Sequence, residues 1–316
     1  MSDSVNTGRT IDAHLHLWNR SGGGYGWVAP ELGSLYRDFA ADEAEAELRT
    51  AGIDAAILVQ ADDSLADTRF MLAEASANDW IVGVVGWVRL DDEQAAAVQL
   101  DELGGESLLR GIRHLVHDDP RDEFLDLPAV RASLRRIAAH DLAFDVPDAW
   151  PRHLGATRRL AADVPELTVV VDHLGKPPAG DGFESDAFAA WEREFRAVAA
   201  LPNTVAKFSG LHLPGAPFDA DTVGRLLDTA LDAFGADRLL YGGDWPMSVP
   251  HGGYAPTWRL MRDALDRLAP QEREAIVGGN AERVYRLLRD QTDESETPQK
   301  SPQFRQRAAE TSDGSR

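Results

Sequence analysis

Eight short apolar, β-branched runs alternate with longer helical stretches along the chain. They fall at residues 10–18 (TIDAHLHLW), 55–60 (AAILVQ), 81–88 (IVGVVGWV), 109–115 (LRGIRHL), 142–146 (LAFDV), 167–174 (LTVVVDHL), 204–209 (TVAKFS) and 239–244 (LLYGGD). Near-continuous apolar runs of this kind suit parallel strands buried on both faces. Helical patterns lie between them at 39–51, 67–78, 128–140, 152–163, 187–201 and 221–234, the first with Asp42 as its expected N-cap. Strand–helix alternation repeated in this way predicts an α/β fold, a single closed (β/α)8 TIM barrel. The competing architecture is a doubly wound open sheet, but no G-x-G-x-x-G or P-loop follows the first run to favour it.

Two segments depart from the pattern. Residues 19–38, with GGGYGWVAPELGSLY, make a long first βα loop, and loops of that length in compact domains are often functional. Beyond about Asp290 the chain turns polar (QTDESETPQKSPQFRQRAAETSDGSR). The sequence therefore predicts a barrel over 1–290 and a disordered tail over 291–316.

In a parallel barrel, chemistry sits at the C-terminal ends of the strands. Here those ends carry His14 and His16, Gln60, Trp87 and Arg89, Arg113 and His114, Asp145, Asp172 and His173, Lys207, and Asp244. Burying so many polar groups without a use would be costly. His14 and His16 are two apart, so on a strand they share a face and can grip one ion. Taken alone, an H-x-H is equally a hydrogen-bonded core pair, Asp244 a turn residue, and His173 a structural histidine. The combination of H-x-H on the first strand, His on the sixth and Asp on the eighth is far more specific. Lys207 either meets substrate or pairs with Asp145 or Asp172. His212 and His251 follow the seventh and eighth strands and face the barrel mouth as loop residues. His117 and His140 are expected to be structural or exposed.

Composition narrows the chemistry. There are no cysteines, so disulfides and thiolate metal sites are excluded, and any metal must rest on His and carboxylate. The formal net charge is −21, which disfavours nucleic acid and anionic membranes as partners. No apolar run approaches the ~20 residues of a membrane span, and MSDSVNTGRT lacks the apolar core of a secretory signal, so a cytoplasmic protein is expected. Lysine occurs only at Lys176, Lys207 and Lys300; an acidic, Lys-poor chain is the composition expected in high internal salt.

These motifs carry a resemblance. IDAHLHLW, LVQ, GVVGWV, RGIRH, VDHLGKP, KFSGL, YGGDWP and a late GGNAERVY helix, spread from about Ile11 to Leu287, resemble the amidohydrolase-related sugar-lactonase branch, which includes L-fuconolactonases, L-rhamnonolactonases and pyrone-dicarboxylate lactonase. The resemblance implies an amidohydrolase-type barrel that hydrolyses a sugar lactone such as an L-rhamnono-, L-fucono- or related 1,4-lactone. It implies metal ligation by His14, His16, His173 and Asp244, with zinc the expected ion, and catalytic roles for Asp244 and His173. The branch also includes members that work without a metal. Binuclear members carry a carboxylated Lys after the fourth strand and a His after the fifth. This chain reads GIRH and FDVP there, and His153 lies further on in a helical stretch as an expected surface residue, so one ion at most is implied. Arg113, His114, Gln60, Asp145, Trp18, Trp27, Trp87 and Lys207 are the expected substrate contacts. A homodimer is the working expectation for assembly. The alternative on the same barrel is a metal-dependent decarboxylase of an unsaturated or aromatic acid, against which GIRH and KFSGL argue.

Overall fold

The computed structural model describes residues 8–22 and 24–287, so the tail expected over 291–316 lies outside the described residues. Eight strands run in parallel in the order β1 to β8: β1 Ile11–Leu15, β2 Ala55–Val59, β3 Ile81–Gly86, β4 Leu109–Arg113, β5 Ala143–Val146, β6 Val169–Val171, β7 Thr204–Phe208 and β8 Leu239–Tyr241. The last strand returns to the first. His16 N donates to Trp245 O at 2.7 Å and Asp244 N to His14 O at 2.9 Å, which closes the TIM barrel. No helix among the described residues is long and apolar enough to cross a membrane.

Helices cover the outside: α1 Ala41–Ala51, α2 Leu65–Ala77, α3 Glu93–Leu103, α4 Pro128–Ala139, α5 Leu154–Asp163, α6 Asp186–Ala199, α7 Ala220–Phe234 and α8 Tyr254–Leu265, with short α9 Pro270–Glu274 and α10 Asn280–Val284 at the end. Of the eight longer helices, two were not singled out by pattern. α3 is rich in Ala and Gln and presents a weak apolar stripe. α8 carries Pro256 in its first turn, where proline is tolerated because that N–H has no intrahelical partner. The expected cap of α1 is corrected: Ala40 is the N-cap, without a side-chain bond, and Asp42 lies one residue inside the helix, accepting from Glu43 N at 2.9 Å.

Strand alternation sorts the core into two layers. Ala55, Ile57 and Val59 of β2 face inward with Val85, Val170, Val205 and Leu240, while Ala56 and Leu58 pack outward beneath the helices. Tyr285, just after α10, plugs the N-terminal end of the barrel and sends its hydroxyl up to Asp145 Oδ2 at 2.7 Å. His153, expected at the surface, is fully buried where it opens α5 beside Leu154, so it does not act as a surface residue.

Candidate active site

Several strands end sooner than their apolar runs, and the polar residues after them sit in turns. β6 stops at Val171, and His173, Leu174, Gly175 and Lys176 then all take positive φ (56°, 52°, 72° and 58°). Asp148 after β5 (φ 44°) and Asp244 after β8 (φ 51°) do the same. A left-handed non-glycine residue costs on the order of 1 kcal/mol or more, and such strain concentrates where a side chain must be aimed. Here it turns Asp148, His173, Lys176 and Asp244 into one cavity of about 380 Å³ at the C-terminal mouth of the barrel. That volume is in the range of small-molecule sites.

At the cavity floor and just beneath it four groups converge, with His14 fully buried behind His16, His173 and Asp244. His14 Nε2 and His16 Nε2 are 3.1 Å apart. Asp244 Oδ1 lies 3.6 Å from His16 Nε2, 3.9 Å from His14 Nε2 and 4.0 Å from His173 Nε2. The opposite nitrogen of each ring is held from behind. His16 Nδ1 lies 2.8 Å from the Val59 carbonyl, His173 Nδ1 2.9 Å from Ser209 Oγ, and His14 Nδ1 3.3 Å from Asp172 Oδ1 and 3.2 Å from Lys207 Nζ. A carbonyl only accepts, so neutral His16 carries its proton on Nδ1 and turns a lone pair on Nε2 toward His14. Burial pushes the His14 imidazole well below its ordinary pKa and His173 down to about 4, so both favour the neutral, ligating form. Burial pushes the Asp244 carboxyl up, but the His173, His16 and His14 rings beside it outweigh this and hold it below the ordinary carboxylate range. Three imidazoles fixed from behind and one carboxylate make a donor set for a divalent ion. His14, His173 and Asp244 offer ligand atoms all within 4.8 Å of one another.

Glycine makes this crowding possible. A Cβ on Gly210 (φ 59°) would stand 2.3 Å from His173 Nδ1 and 2.9 Å from Asp244 Oδ2.

The expected substrate contacts separate into two groups. Trp18, Trp27 and Arg113 line the cavity with His16, His173 and Asp244. The two indoles meet edge to face at 5.2 Å, and Trp27 is pinned by its Nε1 donating to Ala61 O. Gln60, Trp87, His114, Asp145 and Lys207 stand behind the lining instead. Gln60 donates to Asp63 at 2.7 Å; His114 stacks on Phe124 and accepts from Trp87 Nε1 at 3.1 Å. Lys207 pairs with both Asp145 (2.5 Å) and Asp172 (3.1 Å), fully buried below the floor. Groups not expected from sequence take their places at the mouth. His117 lines the cavity, as do Asp118, Asp148, Lys176 and Met247, beside His212 and His251, whose rings stack at 4.2 Å. Asp148 and Lys176 follow β5 and β6 directly, so the rule that barrel chemistry lies just past strand ends was the available signal.

The sequence matches the family model described as Amidohydrolase over residues 11–287. The chain belongs to the amidohydrolase family. A relative named L-fucono-1,5-lactonase, from Burkholderia ambifaria, is 35% identical over 289 residues, covering 90% of this chain and 98% of that protein. A crystal structure of an amidohydrolase from Burkholderia multivorans with bound HEPES superposes with a TM-score of 0.82 at 33% identity, covering 89% of this chain and 100% of that one. A second crystal form of that amidohydrolase, with bound zinc, gives 0.80 at 32% identity over the same coverage. With relatives of this class matching along almost its whole described length, the protein is a hydrolase.

Proposed function

We propose that this amidohydrolase opens a sugar lactone to its aldonic acid, with Asp244 as the general base. The observation that carries the reading is Asp244 itself: a buried carboxylate held ionised at the cavity floor, facing three histidine Nε2 atoms. The name of the 35%-identical relative supports a 6-deoxy-sugar lactone, and favours the 1,5-ring over the 1,4-ring expected from sequence.

The cavity chemistry suits a neutral polyol. Its two cationic side chains are already matched by acids: Arg113 by Asp172 at 3.1 Å, and Lys176 by Asp148 at 3.8 Å. Asp118 adds a further acid to the lining. A dicarboxylate would meet these acids without a spare cation, whereas ring hydroxyls use donors and acceptors of both kinds. Trp18 and Trp27 offer apolar ring faces.

In the reaction, Asp244 accepts a proton from the attacking water and returns it to the ring oxygen as the C–O bond breaks. Lys176, His212 and His251 hold the hydroxyls at the mouth. The arrangement of His14, His16, His173 and Asp244 suits one divalent ion, with zinc the expected metal; when bound, it would supply Lewis-acid polarisation of the carbonyl.

The test is a pH-indicator assay on aldono-1,4- and 1,5-lactones, before and after chelation. Acid release from a 6-deoxy-sugar lactone is expected, and Asp244→Asn should lower kcat by ~10²–10⁴-fold with the fold intact. Full activity in that variant would sink the mechanism. Release of CO2 from aromatic acids, with no lactone opened, would replace it with decarboxylation.

A further inference from the structure

Arg113 aims a guanidinium N–H at the same nitrogen that a metal would use. Its Nη1 lies 3.3 Å from His14 Nε2 and 3.1 Å from Asp172 Oδ2, and its Nη2 donates to the Gln60 carbonyl at 3.0 Å. The side chain is almost wholly buried, so these partners fix the fork. Guanidinium only donates and keeps its charge at any pH the protein survives.

His14 has two nitrogens and several claimants. Nδ1 sits between the Asp172 carboxylate, which accepts, and the Lys207 ammonium, which donates. Nε2 sits between Arg113, which donates, and His16 Nε2, whose lone pair accepts. If the His14 proton is on Nδ1, it donates to Asp172, and Nε2 accepts from Arg113. If it is on Nε2, it donates to His16, Nδ1 accepts from Lys207, and the bond between Arg113 and His14 is lost. Only the first tautomer presents a lone pair to an ion at the floor, and in that tautomer the lone pair is already taken.

We propose that Arg113 is a built-in competitor for the metal. It caps His14 Nε2 while the ion is away, keeps the ring in the ligating tautomer, and must surrender that bond when the ion enters. The inference rests on reading His14, His16, His173 and Asp244 as the metal ligands. Its consequence is a site loaded more weakly than its donor set alone would give, because each binding event breaks a charge-assisted bond and brings two cations together.

Zinc affinity of the full-length chain, measured by competition with a chromophoric chelator, tests this without reference to activity. Arg113→Met should bind zinc at least tenfold more tightly than the wild type, and Arg113→Lys, which keeps the charge, should fall near the wild type. Zinc bound by the Met variant alone would be the same result in its extreme form. Equal or weaker binding by Arg113→Met, with wild-type binding intact, overturns the competitor role and leaves Arg113 as a scaffold for Asp172. Absence of binding in every form overturns this inference and the ligand assignment together. If the Met variant does not fold, the wild type still decides. In protein labelled with 15N-arginine, zinc should abolish the protected guanidinium signal that Arg113→Lys identifies as Arg113, and a signal unmoved by saturating zinc overturns the proposal.

Discussion

Lys207 Nζ and Asp145 Oδ2 meet at 2.5 Å inside the barrel, both wholly removed from water. Burial pushes Asp145 up to about 6 against the pull of Lys207. Asp172 is pushed the same way by burial but held well below the ordinary range by Lys207, His14 and Arg113. One ammonium is thus shared by two buried carboxylates beneath the cavity floor. Lys207→Met should lower the unfolding free energy by about 3–5 kcal/mol, the usual result of orphaning a buried charge. Adding Asp145→Asn should recover part of the loss. Urea unfolding of the two variants reads both effects, and a loss under about 1 kcal/mol would show that Asp145 and Asp172 are content without the lysine.

Gly210 stands where no side chain fits. With Gly210→Ala, the new methyl would meet the His173 ring and the Asp244 carboxylate, and φ 59° would add backbone strain. The expected outcome is a fall in kcat of at least about 100-fold, the scale of a misplaced catalytic group, together with a modest drop in Tm. Retention of wild-type kcat would mean that the floor yields more readily than its packing implies.

Asp67 ties the long first loop to α2. Tyr25 donates to its Oδ1 at 2.6 Å, and Ala61 N and Asp62 N donate to its Oδ2 at 2.8 and 3.2 Å. Burial nonetheless raises its pKa from 3.8 to about 6. Between those values the folded chain holds a proton that the unfolded chain has released. The stability it contributes is complete below pH 3.8 and lost as pH rises through about 6, a change on the order of 3 kcal/mol. Asp67→Asn should lack this slope. Unfolding free energies at pH 4 and pH 7 for both proteins should therefore converge differently, and parallel curves would count against a raised Asp67.

Net charge sets a dependence on salt. At −21, the folded chain repels itself, and counter-ions relieve this. The urea midpoint is expected to rise between dilute buffer and molar KCl. The same midpoint in both would remove salt adaptation as the reason for the acidic, Lys-poor composition.

What the sequence revealed follows from what periodicity encodes. Parallel strands buried on both faces read as apolar runs, so all eight were visible, and the polar residues ending them marked the mouth. Periodicity gives the face of a residue but not its depth. Asp145 and Lys207 do point inward, yet they sit one layer below the cavity, paired with each other instead of reaching its lining. Lys176 and Asp148 were missed for the opposite reason: they lie in left-handed turns, where no repeat announces which way a side chain will face. The burial of His153 depends on chain folding back from distant elements, which a local window does not contain.

The seam of the barrel has its own consequence. His14 lies on the first strand and His16 just past it, Asp244 follows the last, and Asp12 Oδ1 stitches the two by accepting from Gly243 N at 2.8 Å across a separation of 231 residues. Local helix–strand pairing cannot assemble this centre, because its halves lie at opposite ends of the translated barrel. Asp244 therefore comes to face His14 and His16 only once the segment after the eighth strand has docked on the first.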